Sequence, residues 1–228
     1  MSWVFQPKHS RESFSELLLT PYVSVRSLKY RADRRSKYFG TFFINALMSL
    51  IFIVLARELL APLSVLDVWL FSPMILFFTE GLGAFGQWIF SYNPVATYPI
   101  HNRPLKSKSL SQFWGRHWNL WIQDWLKDVR YYLAPKKSGL KLAVAFCFSG
   151  IFHEIMCNLP YFIVYQKSYF GTMMGYFLIQ ATGLWVDKSF LRFRSPLLRR
   201  AFLWLLVIGP SPLFINVPLL TFFGLNHD

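Results

Sequence analysis

Cysteine is scarce in this chain: Cys147 and Cys157 are the only two. They fall in one apolar block, and at ~1.5 Å rise per residue they lie about 15 Å apart along a helix, beyond disulfide reach. The two thiols read as small buried hydrophobes and carry no information on redox compartment. Acidic residues are also few, 11 Asp and Glu against 24 Lys and Arg, for a net charge of +13. The chain lacks internal repeats, low-complexity tracts and any linker between soluble domains, so one membrane domain is the simplest division. Its first forty residues are basic and polar without an apolar core beside a small-residue cleavage site, and no cleavable signal peptide is expected.

What the chain has in abundance is apolar and aromatic residue, 54% and 19% of its 228 positions. These residues gather in blocks instead of recurring periodically, which excludes an ordinary soluble domain. Five blocks approach or exceed the roughly 20 residues that cross ~30 Å of hydrocarbon. They cover 39–60, 65–90, 140–165, 169–186 and 201–223. The last contains Pro210, Pro212 and Pro218 and is expected to be kinked or partly re-entrant.

The positive charge sorts by loop. Residues 1–39 hold eight Lys and Arg, 91–141 hold nine and 188–200 hold five, leaving only Arg57 and Lys167 elsewhere. With five spans those three segments share one side, the positive-inside pattern, so the amino terminus is expected in the cytosol. Such placement suits anionic lipid, as does the 26–37 segment with six cations and one Asp33. It gives no reason to expect a nucleic-acid partner.

Between the second and third blocks, 105–134 is free of proline and shows helical periodicity. On an ideal helix Trp114, Trp118, Trp121 and Trp125 form one narrow aromatic face, with Arg116, Gln123, Lys127 and Arg130 roughly opposite. The pattern predicts an amphipathic helix lying in the membrane interface, capped by Ser109 or Ser111 and closed by Pro135. Asn119 falls on the flank between the two faces, where it can turn toward a cavity.

His153 sits inside an apolar stretch, where an ionisable group is costly and points to function by default. Ser149 and Gly150 precede it by four and three residues and leave room beside the imidazole. A neutral histidine accepts a proton from a hydroxyl, although an interhelical hydrogen bond accounts for such a residue as well. Glu154 points about 100° away around the helix and is assigned a structural role, paired with a cation or near water. The His153-Glu154 pair is not a zinc-protease motif, because Cys157 stands where the second histidine belongs, and no metal site is supported. Glu80 lies in a glycine-rich stretch suited to close helix packing and reads as a buried structural group. That stretch lacks the Lys-Ser/Thr ending of a phosphate loop.

The segment Leu110-Ser111-Gln112-Phe113-Trp114-Gly115-Arg116-His117-Trp118-Asn119-Leu120, followed by Ser149-Gly150-Ile151-Phe152-His153-Glu154, resembles the wax synthase branch of the membrane-bound O-acyltransferase family. That branch carries Phe-Trp-Gly-Arg-Arg-Trp-Asn or His ahead of an apolar span with Ser-Gly-x-x-His; here His117 replaces the second Arg. The resemblance is strongest over about 93–165. It implies an all-α polytopic fold of about five spans plus the interfacial helix, with a basic segment over 1–38 and the acyltransferase-like domain over 39–228. It also implies that His153 and Asn119 are catalytic, His153 as general base and Asn119 positioning the acceptor or stabilising charge. Acyl-coenzyme A is then the co-substrate, with no permanently bound cofactor. Arg116, Trp114 and Trp118 are the candidate residues for contacting it, arginine being suited to phosphate.

The expected partners are membrane lipid and a lipophilic alcohol, with self-association left open. Endoplasmic reticulum residence follows from the resemblance, and a bacterial inner membrane satisfies the same physics. Family members are usually longer before the first motif. Two other readings stand beside the ester synthase: an acetyltransferase acting on a terpenoid alcohol, and a truncated, non-catalytic lipid-binding relative. A transporter is disfavoured because paired broken spans are not evident.

Overall fold

The computed structural model describes residues 35–59, 65–90, 100–123, 125–126 and 138–225. Every regular element among them is helical. Helices α1 (Arg35–Leu59) and α2 (Val65–Phe90) match the first two apolar blocks and pack along each other. Gly81 of α2 permits this approach, since a Cβ there would lie 3.2 Å from Asn45 Cβ. Phe52 stacks on Phe77 at 5.5 Å, and Phe42 meets Phe85 at 5.0 Å. The outward side of α1 exposes Phe43, Ile44, Leu47, Leu50 and Val54, a surface suited to hydrocarbon and not to water.

The third block forms α4 (Ser138–His153), a π-helical segment Glu154–Asn158, and α5 (Leu159–Tyr165) without a change of direction in the backbone dihedrals. The fourth forms α6 (Thr172–Ser189). These two helices pack closely because Gly150 faces Met174, whose Sδ lies 2.7 Å and whose Cα lies 3.2 Å from where a Cβ would stand. The fifth block is broken, as its prolines require: α7 (Pro196–Ile208), α8 (Ser211–Phe214) and α9 (Val217–Phe222) each hold a proline in the first turn, where its missing N–H costs nothing. Asn216 caps α9 by accepting from Leu219 N at 3.2 Å.

Three stretches among the described residues are long and apolar enough to cross a membrane: Tyr38–Leu55, Leu142–Tyr165 and Pro196–Phe214. The sequence led to an expectation of five. The other two blocks, α2 and α6, are helical, and α6 carries Gln180 and Asp187 fully buried inside the protein.

Two apolar clusters organise the packing. One joins Val68, Phe71 and Met74 of α2 to Met173, Ile215, Leu219 and Leu220. The other joins Leu110 and Phe113 to Phe146, Tyr176, Phe177, Leu184 and Leu203. The second cluster thereby draws the Phe113-Trp114-Gly115 segment into the helical body.

The segment read as one amphipathic helix is interrupted. Ser109 caps α3 (Leu110–Gln112), accepting from Gln112 N at 3.2 Å. A π-turn Phe113–His117 follows, closed by a Trp118 N to Phe113 O bond of 2.9 Å. Trp118 is then extended and Asn119 left-handed, with φ of 39°, before helix resumes over 120–123 and 125–126. The tryptophans also face protein, which corrects the expected interfacial stripe. Trp114 meets Phe146 and Phe177, Trp118 stacks on Phe113, and Trp125 is buried against Phe148 and Phe152. Tertiary contacts with α4 and α6 outweigh the headgroup preference of indole in this segment. The expected stop at Pro135 lies outside the described residues.

Candidate active site

A cavity of about 720 Å³ lies between α2, the π-turn, α4, α6 and α8. Trp114, Trp118, Asn119 and His153 all line it, together with Ser149, Tyr176 and Phe177. The two sequence motifs, forty residues apart, therefore open onto one space. Its walls are mainly aromatic and aliphatic, and its volume lies within the range of small-molecule sites.

His153 ends α4, and its Nδ1 lies 2.7 Å from Ser149 O one turn earlier. A carbonyl only accepts, so Nδ1 carries the proton and Nε2 keeps its lone pair. The ring is held between Phe177 at 4.8 Å and Phe214 at 5.2 Å. The small residues at 149 and 150 thus act differently: Ser149 fixes the tautomer through its carbonyl, while Gly150 makes room for α6.

Asn119 owes its place to the break in the helix. Its Oδ1 accepts from Ile122 N at 3.2 Å and its backbone carbonyl from Gln123 N at 2.9 Å, so it starts the next helix. The Nδ2 protons have no partner among the described residues. Trp114 donates Nε1–H to Gln180 Oε1 at 3.1 Å, and Gln180 Nε2 donates to Leu206 O at 2.6 Å, which ties the cavity wall to α6 and α7. Arg116 is exposed on the π-turn and lies outside the lining, next to the cavity-lining Gly115. Among the described residues, Lys188 is the one Lys or Arg in the lining.

Several site-supporting residues were not legible beforehand. Fully buried Asp187 accepts from Ser111 N at 3.0 Å and from Arg199 Nε and Nη2 at 3.1 and 3.0 Å, clamping α3 to α6 and α7. His101, 5% exposed, accepts Asn119 N–H on Nδ1 at 3.0 Å, contacts the Trp118 ring at 4.3 Å and places Nε2 2.9 Å from Thr79 Oγ1. Burial pushes its pKa down to about 4, so it is neutral at ordinary pH. A polar residue beside an X-Pro turn gave no signal of this role.

Glu154 is structural, but its partners are not cations. It accepts from Asn158 Nδ2 at 2.5 Å, and its Oε1 accepts from Gly171 N and Met174 N at 3.0 and 2.9 Å at the start of α6. The positive end of that helix satisfies the buried carboxylate. Glu80 does not line the cavity, and its buried Oε2 has no partner among the described residues. Cys147 and Cys157 are free thiols.

Residues 97–179 match the membrane bound O-acyl transferase family. A long-chain-alcohol O-fatty-acyltransferase of Simmondsia chinensis is 39% identical over 69 residues, covering 25% of this chain and 19% of that enzyme. The chain thus spans about a fifth of the length of this curated relative. No solved structure matches. The matched stretch contains Trp114, Trp118, Asn119 and His153 with the turns that bring them onto one cavity, and over it the chain is similar to the membrane bound O-acyl transferase family.

Proposed function

We propose that the protein transfers an acyl group from acyl-coenzyme A to the hydroxyl of a lipid alcohol, forming a wax or sterol ester. One observation carries this reading: His153 and Asn119 line a common apolar cavity, with a basic nitrogen on the first and, on the second, two donors without a partner among the described residues.

In the reaction, His153 Nε2 takes the proton of the acceptor hydroxyl as its oxygen attacks the thioester carbonyl. Charge on Nδ1–H in the resulting imidazolium is shared with the Ser149 carbonyl. Asn119 Nδ2–H donates to the carbonyl oxygen as it gains negative charge in the tetrahedral intermediate. Collapse expels the coenzyme A thiolate, which takes the proton back from His153 and leaves the ester and free base. The aromatic walls hold the alkyl chains and exclude water, which would otherwise compete as the acceptor. Arg116, beside Gly115, and Lys188 are the cations we assign to the phosphates of the donor, with Trp114 and Trp118 forming the wall beneath it. On this reading the basic loops and the amino terminus face the cytosol and the protein resides in the endoplasmic reticulum membrane, in keeping with the sorting of Lys and Arg by loop.

The test is ester formation by purified membranes given labelled acyl-coenzyme A and a panel of fatty alcohols, sterols and terpenoid alcohols. Wild type should yield a labelled ester that names the acceptor class. His153→Ala should lower turnover by about 10²–10⁴-fold while folding and ligand binding persist. A variant as active as wild type would remove His153 from the chemistry, and a folded wild type that makes no ester would favour a non-catalytic lipid-binding relative.

A further inference from the structure

Asn119 is not glycine, yet its φ is 39°, a backbone state in which side chains other than those of Asn and Asp are rare. The break that turns its amide into the cavity therefore needs an external hold. That hold comes from residues 100–102, nearly twenty positions earlier. Leu120 N donates to Ile100 O at 2.7 Å and Asn102 N to His117 O at 2.8 Å, while Asn102 O accepts from the His117 ring. Between these bonds, Asn119 N donates to His101 Nδ1 at 3.0 Å. Gly83 lets the segment sit against α2, because a Cβ there would lie 2.3 Å from Ile100 Cγ2.

The hydrogen-bond directions around His101 close without ambiguity. Thr79 donates its hydroxyl proton to Ile75 O at 2.7 Å, so at 2.9 Å its oxygen accepts from His101 Nε2–H. Nδ1 is then the unprotonated nitrogen, as the Asn119 N–H requires. The same ring packs on Trp118, the residue that forms the break. A relay thus runs from α2 through Thr79, His101 and the Asn119 backbone to a side chain that lines the same cavity as His153.

We infer that His101 is a positioning residue for acyl transfer, holding the left-handed turn at Asn119 and so fixing the Asn119 amide in the cavity. This rests on the acyl-transfer reading above. His101 touches no reacting atom in this arrangement. It works as the Nε2–H tautomer, the opposite of His153, whose Nδ1–H is committed to Ser149.

Two substitutions separate the two ends of the ring. His101→Asn puts an oxygen near the Nδ1 position and preserves the acceptor for Asn119 N–H. His101→Gln reaches Thr79 but leaves the Asn119 amide without that acceptor. With KM for both substrates within about twofold of wild type, His101→Gln should lower kcat at least about tenfold, and His101→Asn should recover most of it. Equal losses in kcat for the two variants would overturn the assignment, since a purely space-filling role does not distinguish them. Nitrogen NMR of the protein labelled with ¹⁵N-histidine supplies a readout independent of turnover, the His101 signal being the one lost in His101→Asn. A neutral ring protonated on Nε2 is expected; a proton on Nδ1 would refute the relay. If wild type makes no ester, the acyl-transfer reading fails, and the tautomer still decides whether His101 holds Asn119.

Discussion

Acidification should destabilise this protein through His101 in a defined window. Folded, the ring is neutral with a pKa of about 4; unfolded, it titrates near the ordinary value of 6.5. Between these values the unfolded chain binds more protons than the folded one, so stability rises with pH there and falls as pH is lowered from 6.5 toward 4. The gap between the two pKa values sets the size: roughly 3 kcal/mol lost by pH 4, and about half of that near pH 5.3. Above pH ~6.5 the contribution is complete and flat. The ring's partners, Thr79, Asn119 N–H and Trp118, are all uncharged, and none offers an anion to retain the proton. The assay is denaturant unfolding in one detergent at a series of pH values, for wild type and for His101→Gln. Contributions from the rest of the protein are common to both and cancel in the difference. The two stability curves should converge as pH falls from 6.5 to 4. Curves that stay parallel through that window would refute the reasoning and show that His101 titrates freely.

Other consequences are open to direct measurement. Asp187→Ala leaves the Arg199 guanidinium and the Ser111 amide without their shared acceptor and should cost about 3–5 kcal/mol, read from unfolding, with Asp187→Asn milder. Gly150→Leu drives a side chain into Met174 and should separate α4 from α6, lowering stability by about 1–3 kcal/mol or more, whereas Gly115→Ala, whose Cβ meets nothing within 4 Å, should be silent in the same assay. Asn119→Gly keeps the left-handed backbone and removes the amide, so folding should survive while kcat falls about 10²-fold; unchanged turnover would take Asn119 out of oxyanion binding.

The apolar blocks, the proline breaks of the last one and the convergence of His153 and Asn119 on one cavity were legible in the sequence because each is written in local composition or in paired motifs. The tryptophan segment was misread for a definable reason. Spacings of four, three and four fit a continuous α-helix, and nothing at Trp118 or Asn119 forbids one. The break is set by His101 and Ile100, distant partners that no window around Asn119 contains. Glu154 was correctly given a structural role, yet its partners are backbone amides at the start of α6, which carry no residue-type signature. Arg116 shows the converse limit: the motif names the residue but not the side of the turn on which it lies.

The π-helical segment Glu154–Asn158 directly after His153 has a bearing on length variation. Leu159 N bonds Glu154 O across five residues, so the segment holds one residue more than an α-helix needs at that point. Deleting a single residue there would let an unbroken α-helix form, and local propensity would favour it. Relative to His153, however, everything downstream would turn by about 100°, and Asn158 would leave Glu154, Thr172 and Asn216. Single-residue deletions in this segment should therefore be far less tolerated than substitutions at its exposed positions Ile155 and Met156, and a deletion scan across 151–160 would show the difference as a sharp local gap.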